Sequence, residues 1–117
     1  MPSRVLIVDD HPSFRASARL LLESEGYAVV GEAPDGHSAL RLAGELAPDI
    51  VLLDVHLPDL DGFAVAARLA AWHDPPDVVL TSSRDPSDFG PLVARSGARG
   101  FVAKGELSGP ALAAVVR

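Results

Sequence analysis

Three aspartates, a lysine and a pair of hydroxyl residues each stand directly after a short apolar run in this 117-residue chain. Asp9 and Asp10 follow "VLIV", Asp54 follows "IVLL", Thr81 and Ser82 follow "VVL", and Lys104 follows "FVA". Short apolar runs without polar alternation suit strands buried on both faces of a parallel sheet. Ligands of such sheets sit outside the carboxyl ends of the strands, where the strand order reverses. If the first and third strands are neighbours, Asp9, Asp10 and Asp54 crowd one edge. Like charges that close repel, raise at least one pKa, and are relieved by a hard divalent cation with oxygen ligands. Mg2+ is the expected ion. A hydroxyl and an ammonium on the same rim then suit the handling of a phosphoryl group, whose charge these groups share. Spacing alone does not choose between Thr81 and Ser82.

The elements that must position these groups alternate. A further apolar run, "YAVV" at 27–30, gives five strands in all, separated by segments with helical spacing: Phe14, Ala18, Leu21 and Leu22, then Leu40, Ala43 and Ala47, and finally Leu112, Val115 and Val116. Gly26 follows the first helix, Asp35-Gly36 opens the second and Pro48 follows it, Asp61 caps the third, and Ser108 caps the last. The expected fold is α/β, a doubly wound five-stranded parallel sheet with right-handed crossovers. One domain over residues 1–117 accounts for the whole length. The segment 85–97, "DPSDFGPLVARSG", reads badly as a helix, because Pro91 would clash with a preceding turn. The fourth helix should be short and start near Pro91. "GFAVAARLAAW" (62–72) is apolar nearly all round, with Arg68 its only charge.

Composition narrows the chemistry. The absence of cysteine excludes thiolate nucleophiles, disulfides and Cys-ligated metals, and fits a reducing, cytoplasmic setting. A net charge of -6 with no Lys/Arg cluster argues against direct contact with nucleic acid. No apolar run approaches the roughly 18 residues of a membrane span, and no signal peptide is evident.

"VLIVDDHPSFR", "DIVLLDVHLPDLDGF", "VVLTSSRD" and "SGARGFVAKGEL", in that order, resemble a response-regulator receiver (CheY-like) domain of two-component systems. The likeness runs from about Arg4 to the C-terminus and is nearest in style to NarL/LuxR-type regulators, which carry a helix-turn-helix output. It implies the flavodoxin-like (βα)5 fold with strand order 2-1-3-4-5. It also implies that Asp54 accepts a phosphoryl group from a histidine kinase or phosphotransfer protein. Mg2+, replaceable by Mn2+, would be held by Asp9, Asp10, Asp54 and the backbone carbonyl of His56. Lys104 would pair with phosphoryl oxygens, and the family's ungapped spacing to Lys104 places the switch hydroxyl on Ser82, with Thr81 on the opposite face. Phe101 falls at the switch-aromatic position, and His56 and Arg84 at the two variable positions that modulate phosphoryl lifetime. Phosphorylation would remodel the face of fourth helix, fifth strand and fifth helix, toward a partner, an output domain or a second copy in a homodimer. Gly105 departs from the pattern, since many members have proline after the lysine, in a cis bond.

Three readings compete. "DLDG" at 59–62 mimics the nucleophile loop of haloacid-dehalogenase-like phosphatases, but there it follows the first strand and leads into a hydroxyl residue; here Leu57-Pro58 precedes it and Phe63 follows. A receiver that works as an interaction module without phosphorylation is the second, disfavoured because every site position is filled. The third is a regulatory phosphoacceptor that is no enzyme in the turnover sense. His11 reads as a helix-entry residue beside Pro12 rather than as a ligand or base, and His37 and His73 read as solvated. Removing the acidic pair is expected to raise stability without metal, by relieving repulsion.

Overall fold

The computed structural model describes residues 2–116; the domain bounds expected from the sequence reach one residue further at each end, to Met1 and Arg117, outside the described residues. Five strands, β1 (Arg4–Val8), β2 (Ala28–Ala33), β3 (Ile50–Asp54), β4 (Asp77–Ser82) and β5 (Gly100–Ala103), alternate with helices α1 (Pro12–Ser24), α2 (Gly36–Leu46), α3 (Gly62–Ala70), α4 (Leu92–Arg95) and α5 (Gly109–Val116). The strands are parallel in the order β2-β1-β3-β4-β5. The doubly wound arrangement follows from burial on both faces. Leu6, Val8, Val51, Leu53, Val78 and Leu80 pack with Ala39 and Ala43 of α2 and Val65, Ala66 and Leu69 of α3. The alternate residues Val5, Ile7, Ile50, Leu52 and Val79 pack with Ala18 and Leu22 of α1 and Leu112 of α5. β1, β3 and β4 have no polar face, and their runs read as continuous.

The loops that carry the site are held by side chains. Asp61 caps α3 by accepting from the Ala64 amide at 2.8 Å. The first three amides of α2 are all satisfied: Ser38 donates to Asp35 at 2.8 Å, and Gly36 and His37 donate to the two oxygens of Asp59 at 2.7 and 2.9 Å. Asp59 is therefore more than a turn residue. It fastens the β3–α3 loop to α2, and the amides of His37, Gly36 and Leu60 outweigh its partial burial to hold its carboxyl below the usual value. At the far end of the chain, the Gly109 amide donates to Glu25 at 3.1 Å and the Tyr27 hydroxyl donates to the Gly109 carbonyl at 3.2 Å, tying the start of α5 to the α1–β2 corner. Ser108 caps α5 as the sequence suggests, through the Ala111 amide at 3.0 Å.

One strand differs from the sequence reading, whereas the fourth helix is short and starts next to Pro91 as that reading expects. β2 starts at Ala28 and runs on to Ala33, because this edge strand pairs with β1 through Glu32 and Ala33 after a register shift beside Leu6. Pro86–Phe89 forms a 3-10 turn, Gly90 turns the chain at φ +56°, and α4 is a single turn. No peptide bond among the described residues is cis, the Lys104–Gly105 bond included.

Gly62 must be glycine for want of space. Its amide donates to the Val55 carbonyl at 2.7 Å, and a Cβ there would meet the Asp54 carbonyl oxygen and stand 2.7 Å from Val55 Cα. Backbone atoms cannot yield as a side chain can. Gly62→Ala is expected to cost about 1–3 kcal/mol of stability, measured by urea unfolding. Gly44→Ala, on an exposed stretch of α2 with only Trp72 at 3.9 Å, should instead stabilise by about 0.5–1 kcal/mol.

Candidate functional site

The carboxyl ends of β1, β3 and β5 bring Asp9, Asp10, Asp54 and Lys104 together. Asp9 is fully buried, Asp54 nearly so, and Asp10 is exposed. Lys104 Nζ stands 2.6 Å from Asp9 Oδ2 and 3.3 Å from Asp54 Oδ2. The Asp9 contact is a close ion pair that gives its buried Oδ2 a charged partner, and Asp54 Oδ2 accepts a hydrogen bond from the same ammonium. The other oxygen of each carboxylate faces its own loop: Asp9 Oδ1 accepts from the His11 amide at 2.8 Å, and Asp54 Oδ1 from the His56 amide at 3.2 Å.

These surroundings separate the two buried acids. Burial pushes Asp9 up, but Lys104 and the amide and ring of His11 outweigh it and hold the carboxyl below its ordinary value. Burial pushes Asp54 up as well, the Asp9 charge adds to it, and His56 and Lys104 do not fully compensate. Lys104, although its own burial opposes the charge, is kept more basic than a free lysine by Asp9 and Asp54. One carboxylate is firmly ionised while its neighbour is strained by the charge.

The donor set fits a hard cation. Oxygens of Asp9, Asp10 and Asp54, with a ring nitrogen of His11, lie within 4.8 Å of one another, and Asp9 and Asp54 are buried. His11 does enter α1 before Pro12 as expected, yet its side chain caps nothing there. The ring is turned back onto the acidic pair, Nδ1 lying 3.0 Å from Asp9 Oδ1 and 3.1 Å from Asp10 Oδ1. The reading of His11 as a helix-entry residue alone is thus incomplete.

The remaining site residues divide by strand face. Thr81 Oγ1 donates to the Val102 carbonyl at 2.7 Å, an extra rung between β4 and β5, whereas Ser82 Oγ accepts from the Arg84 amide at 3.0 Å. Adjacent residues on a strand point oppositely, and Ser82 is the hydroxyl not committed to the β4–β5 ladder. Phe101 is half-buried against Phe89, their rings 5.8 Å apart. Phe89 was not singled out from the sequence. Its nearly buried ring also meets Phe63 at 5.5 Å and His56 at 6.1 Å, and the Arg84 guanidinium lies 5.8 Å from its centroid. The only available signal was one aromatic in an otherwise polar loop. Arg84, which also pairs with Asp88 at 3.5 Å, and the His56 ring thus lean on Phe89.

A second residue escaped notice. Arg15 of α1 donates to the Asp9 carbonyl at 2.6 Å and to Glu32 at 3.2 Å, and Glu32 in turn accepts from Arg19 at 2.8 Å. This clamp fixes the end of β1 where the acidic pair emerges. A depression of about 600 Å³ around Trp72, Asp49 and Asp77 lies at the opposite end of the sheet. A cation and a phosphoryl group need converging donors rather than volume, so the carboxylate rim is the candidate functional site.

Residues 5–116 match the response regulator receiver domain family. The chain belongs to that family. The standard role of these receiver domains is phosphorylation-dependent two-component signalling. This receiver is similar to the virulence-factor transcription regulator BvgA of Bordetella pertussis, 43% identical over 106 residues that cover 91% of this chain and 51% of BvgA. It is similar also to the response regulator GacA of Pseudomonas viridiflava, 37% identical over 87% of this chain and 48% of GacA. The receiver thus spans about half the length of these relatives. Among solved structures, the receiver domain of the response regulator NarL from Mycobacterium tuberculosis superposes with a TM-score of 0.86 at 37% identity, covering 98% of this chain and 97% of that one. The chemotaxis regulator CheY4 of Vibrio cholerae shares the fold at 24% identity, with a TM-score of 0.83 over 99% and 97% of the two chains. The NarL-like and CheY-like resemblance and the 2-1-3-4-5 sheet expected from the sequence are both borne out. Among the described residues no helix is long and apolar enough to cross a membrane.

Proposed function

We propose that this receiver is switched by one phosphoryl group on Asp54, delivered by a histidine kinase or a phosphotransfer protein in the cytoplasm. The observation that carries the reading is Lys104 bridging Asp9 and Asp54 at the carboxyl ends of three strands. An oxygen of Asp54 attacks the phosphorus in line, the phosphorus–nitrogen bond to the donor imidazole breaks, and the released imidazole takes a proton from water. The raised position of Asp54 marks a carboxylate whose charge is relieved when it is esterified, and Lys104 then follows the charge onto the phosphoryl oxygens.

Asp9, Asp10 and Asp54, with the carbonyl of His56, are the residues that would hold Mg2+. Mg2+, or Mn2+ in its place, supplies neutralisation of the phosphoryl oxygens during transfer. Phosphorylation adds a charge of about -1 and new acceptor oxygens. Ser82 turns toward them, and Phe101 follows into the space that opens, which alters the α4–β5–α5 face. That face addresses an output domain, a partner or a second copy in a longer protein. The acidic surface leaves nucleic acid to such a domain, and no turnover enzyme is built here.

Acetyl phosphate or phosphoramidate with Mg2+ should add one phosphoryl mass per chain and release no excess phosphate from phosphate esters. Continuous turnover of an ester would assign a phosphatase instead, and no uptake would assign a module that works without phosphorylation. Arg84 and His56 flank the entry path of the attacking water, both propped on Phe89. Phosphate release from the phosphorylated protein is therefore expected to be slow and to speed up in Arg84→Ala. Equal rates in wild type, Arg84→Ala and His56→Ala would remove both residues from control of lifetime.

A further inference from the structure

The imidazole of His11 is a ligand-type group that the phosphoryl chemistry does not use. Its Nδ1 stands 3.0 Å from Asp9 Oδ1 and 3.1 Å from Asp10 Oδ1, while the rest of the ring is exposed, so that nothing packs it into this position. Neighbouring donors of an octahedral ion with bonds of about 2.1 Å stand about 3.0 Å apart. Nδ1 already has that spacing from both oxygens. One imidazole proton serves both carboxylates only by bifurcation, whereas a cation set among the three contacts each of them. The second sign is the fully buried Asp9 carboxylate, whose Oδ2 is met by Lys104 Nζ at 2.6 Å and whose Oδ1 faces the amide and ring of His11.

We infer that His11 is a nitrogen ligand of the acidic site and turns it from an all-oxygen Mg2+ site into a mixed site that prefers borderline divalent ions. The inference rests on the metal reading given above and goes beyond it, since oxygen ligands alone account for Mg2+. Imidazole suits Fe2+, Ni2+, Cu2+ and Zn2+, with affinities that rise along the first transition row to Cu2+, and adds little for Mg2+. The ring belongs to a residue fixed at the start of α1, with Pro12 after it and its amide bonded to Asp9, so the nitrogen is presented in place. A chain with this histidine takes up a transition ion at concentrations where Mg2+ leaves the site partly empty.

Titration calorimetry with Mg2+ alone and with Ni2+ alone tests this on wild type, His11→Ala and His56→Ala. Wild type should bind Ni2+ at least about 100-fold tighter than Mg2+. His11→Ala should lose at least about tenfold in Ni2+ affinity, the loss typical when a metal's supporting group is removed, while Mg2+ affinity stays within about twofold and His56→Ala changes neither. Pulsed electron paramagnetic resonance of bound Mn2+ should show a coupled nitrogen in wild type that disappears in His11→Ala. Unchanged Ni2+ affinity in His11→Ala, an equal loss of both ions, or a nitrogen signal removed only by His56→Ala would each overturn the assignment. Failure of Mg2+ to bind the wild type at all is a different result, which strikes the phosphorylation reading first.

Discussion

Asp54→Asn should leave a protein that folds, resists unfolding better than the wild type near neutral pH, and takes up no phosphoryl group from acetyl phosphate. Uptake fails because the amide oxygen is not a nucleophile toward phosphorus under these conditions, and intact-mass spectrometry should show the unmodified chain alone. A persisting adduct would move the acceptor elsewhere. The gain in stability follows from linkage. Burial and the Asp9 charge raise the folded-state pKa of Asp54 above its ordinary 3.8, so ionisation costs the native state. That penalty is full above the raised value and vanishes below about 3.8, where folded and unfolded chains are both protonated. The asparagine keeps one acceptor oxygen for the His56 amide and sets its amide nitrogen in place of Oδ2, while Lys104 keeps its pair with Asp9. The melting temperature should therefore rise by several degrees at pH 7, the shift about 1 kcal/mol makes in a domain of this size, and the difference should close as the pH approaches 3.8. A destabilised variant at pH 7 would mean that the Lys104 pair outweighs the strain.

The second large effect is on the acidic pair. Asp9→Ala/Asp10→Ala should weaken Mg2+ binding by at least about 100-fold and abolish Mg2+-dependent phosphorylation; full phosphorylation in the double variant would sink the metal assignment. The effect on stability without metal differs from the one expected from crowded charge alone. Asp9 is held ionised below its ordinary 3.8 by Lys104 and His11, so it contributes stability above that pH, which is lost as the pH falls through its lower folded value. Removing it leaves Lys104 with Asp54 alone. Asp9→Ala should thus lower the melting temperature without metal, Asp10→Ala, exposed, should hardly change it, and the relief of repulsion belongs to Asp54→Asn.

How much of this could be read from the chain depends on what each residue's neighbours are. Asp54 was legible because a buried strand delivers it, and a strand's end fixes where its next carboxylate stands. Asp35 and Asp61 were legible for a related reason, since a capping residue bonds amides two or three positions away. Asp59 was not: its partners Gly36 and His37 are more than 20 residues earlier, so only tertiary structure joins them. Arg15 and Phe89 fall under the same rule. Each looks like an ordinary helix or loop residue until β1 and β5 bring Asp9 and Phe101 beside it. The break at Gly90-Pro91 needed no neighbour, and the shortness of α4 was accordingly visible in advance.

That single turn gives the domain a seam. Between Ser83 and Ser96 the regular backbone amounts to one 3-10 turn and four helical residues, and most side chains are exposed, whereas β4 just before it is buried almost throughout. A stretch with so few interior contacts opens at a small fraction of the free energy needed to unfold the sheet. Its amides should exchange with solvent orders of magnitude faster than those of Val79 and Leu80, and trypsin should nick the native protein first at exposed Arg84 and Arg95. Because Phe89 is the one buried apolar side chain in that seam, both rates measure how firmly its ring is seated. The seam is thereby a gauge, readable without any partner, of how far the α4 region has been loosened or gripped.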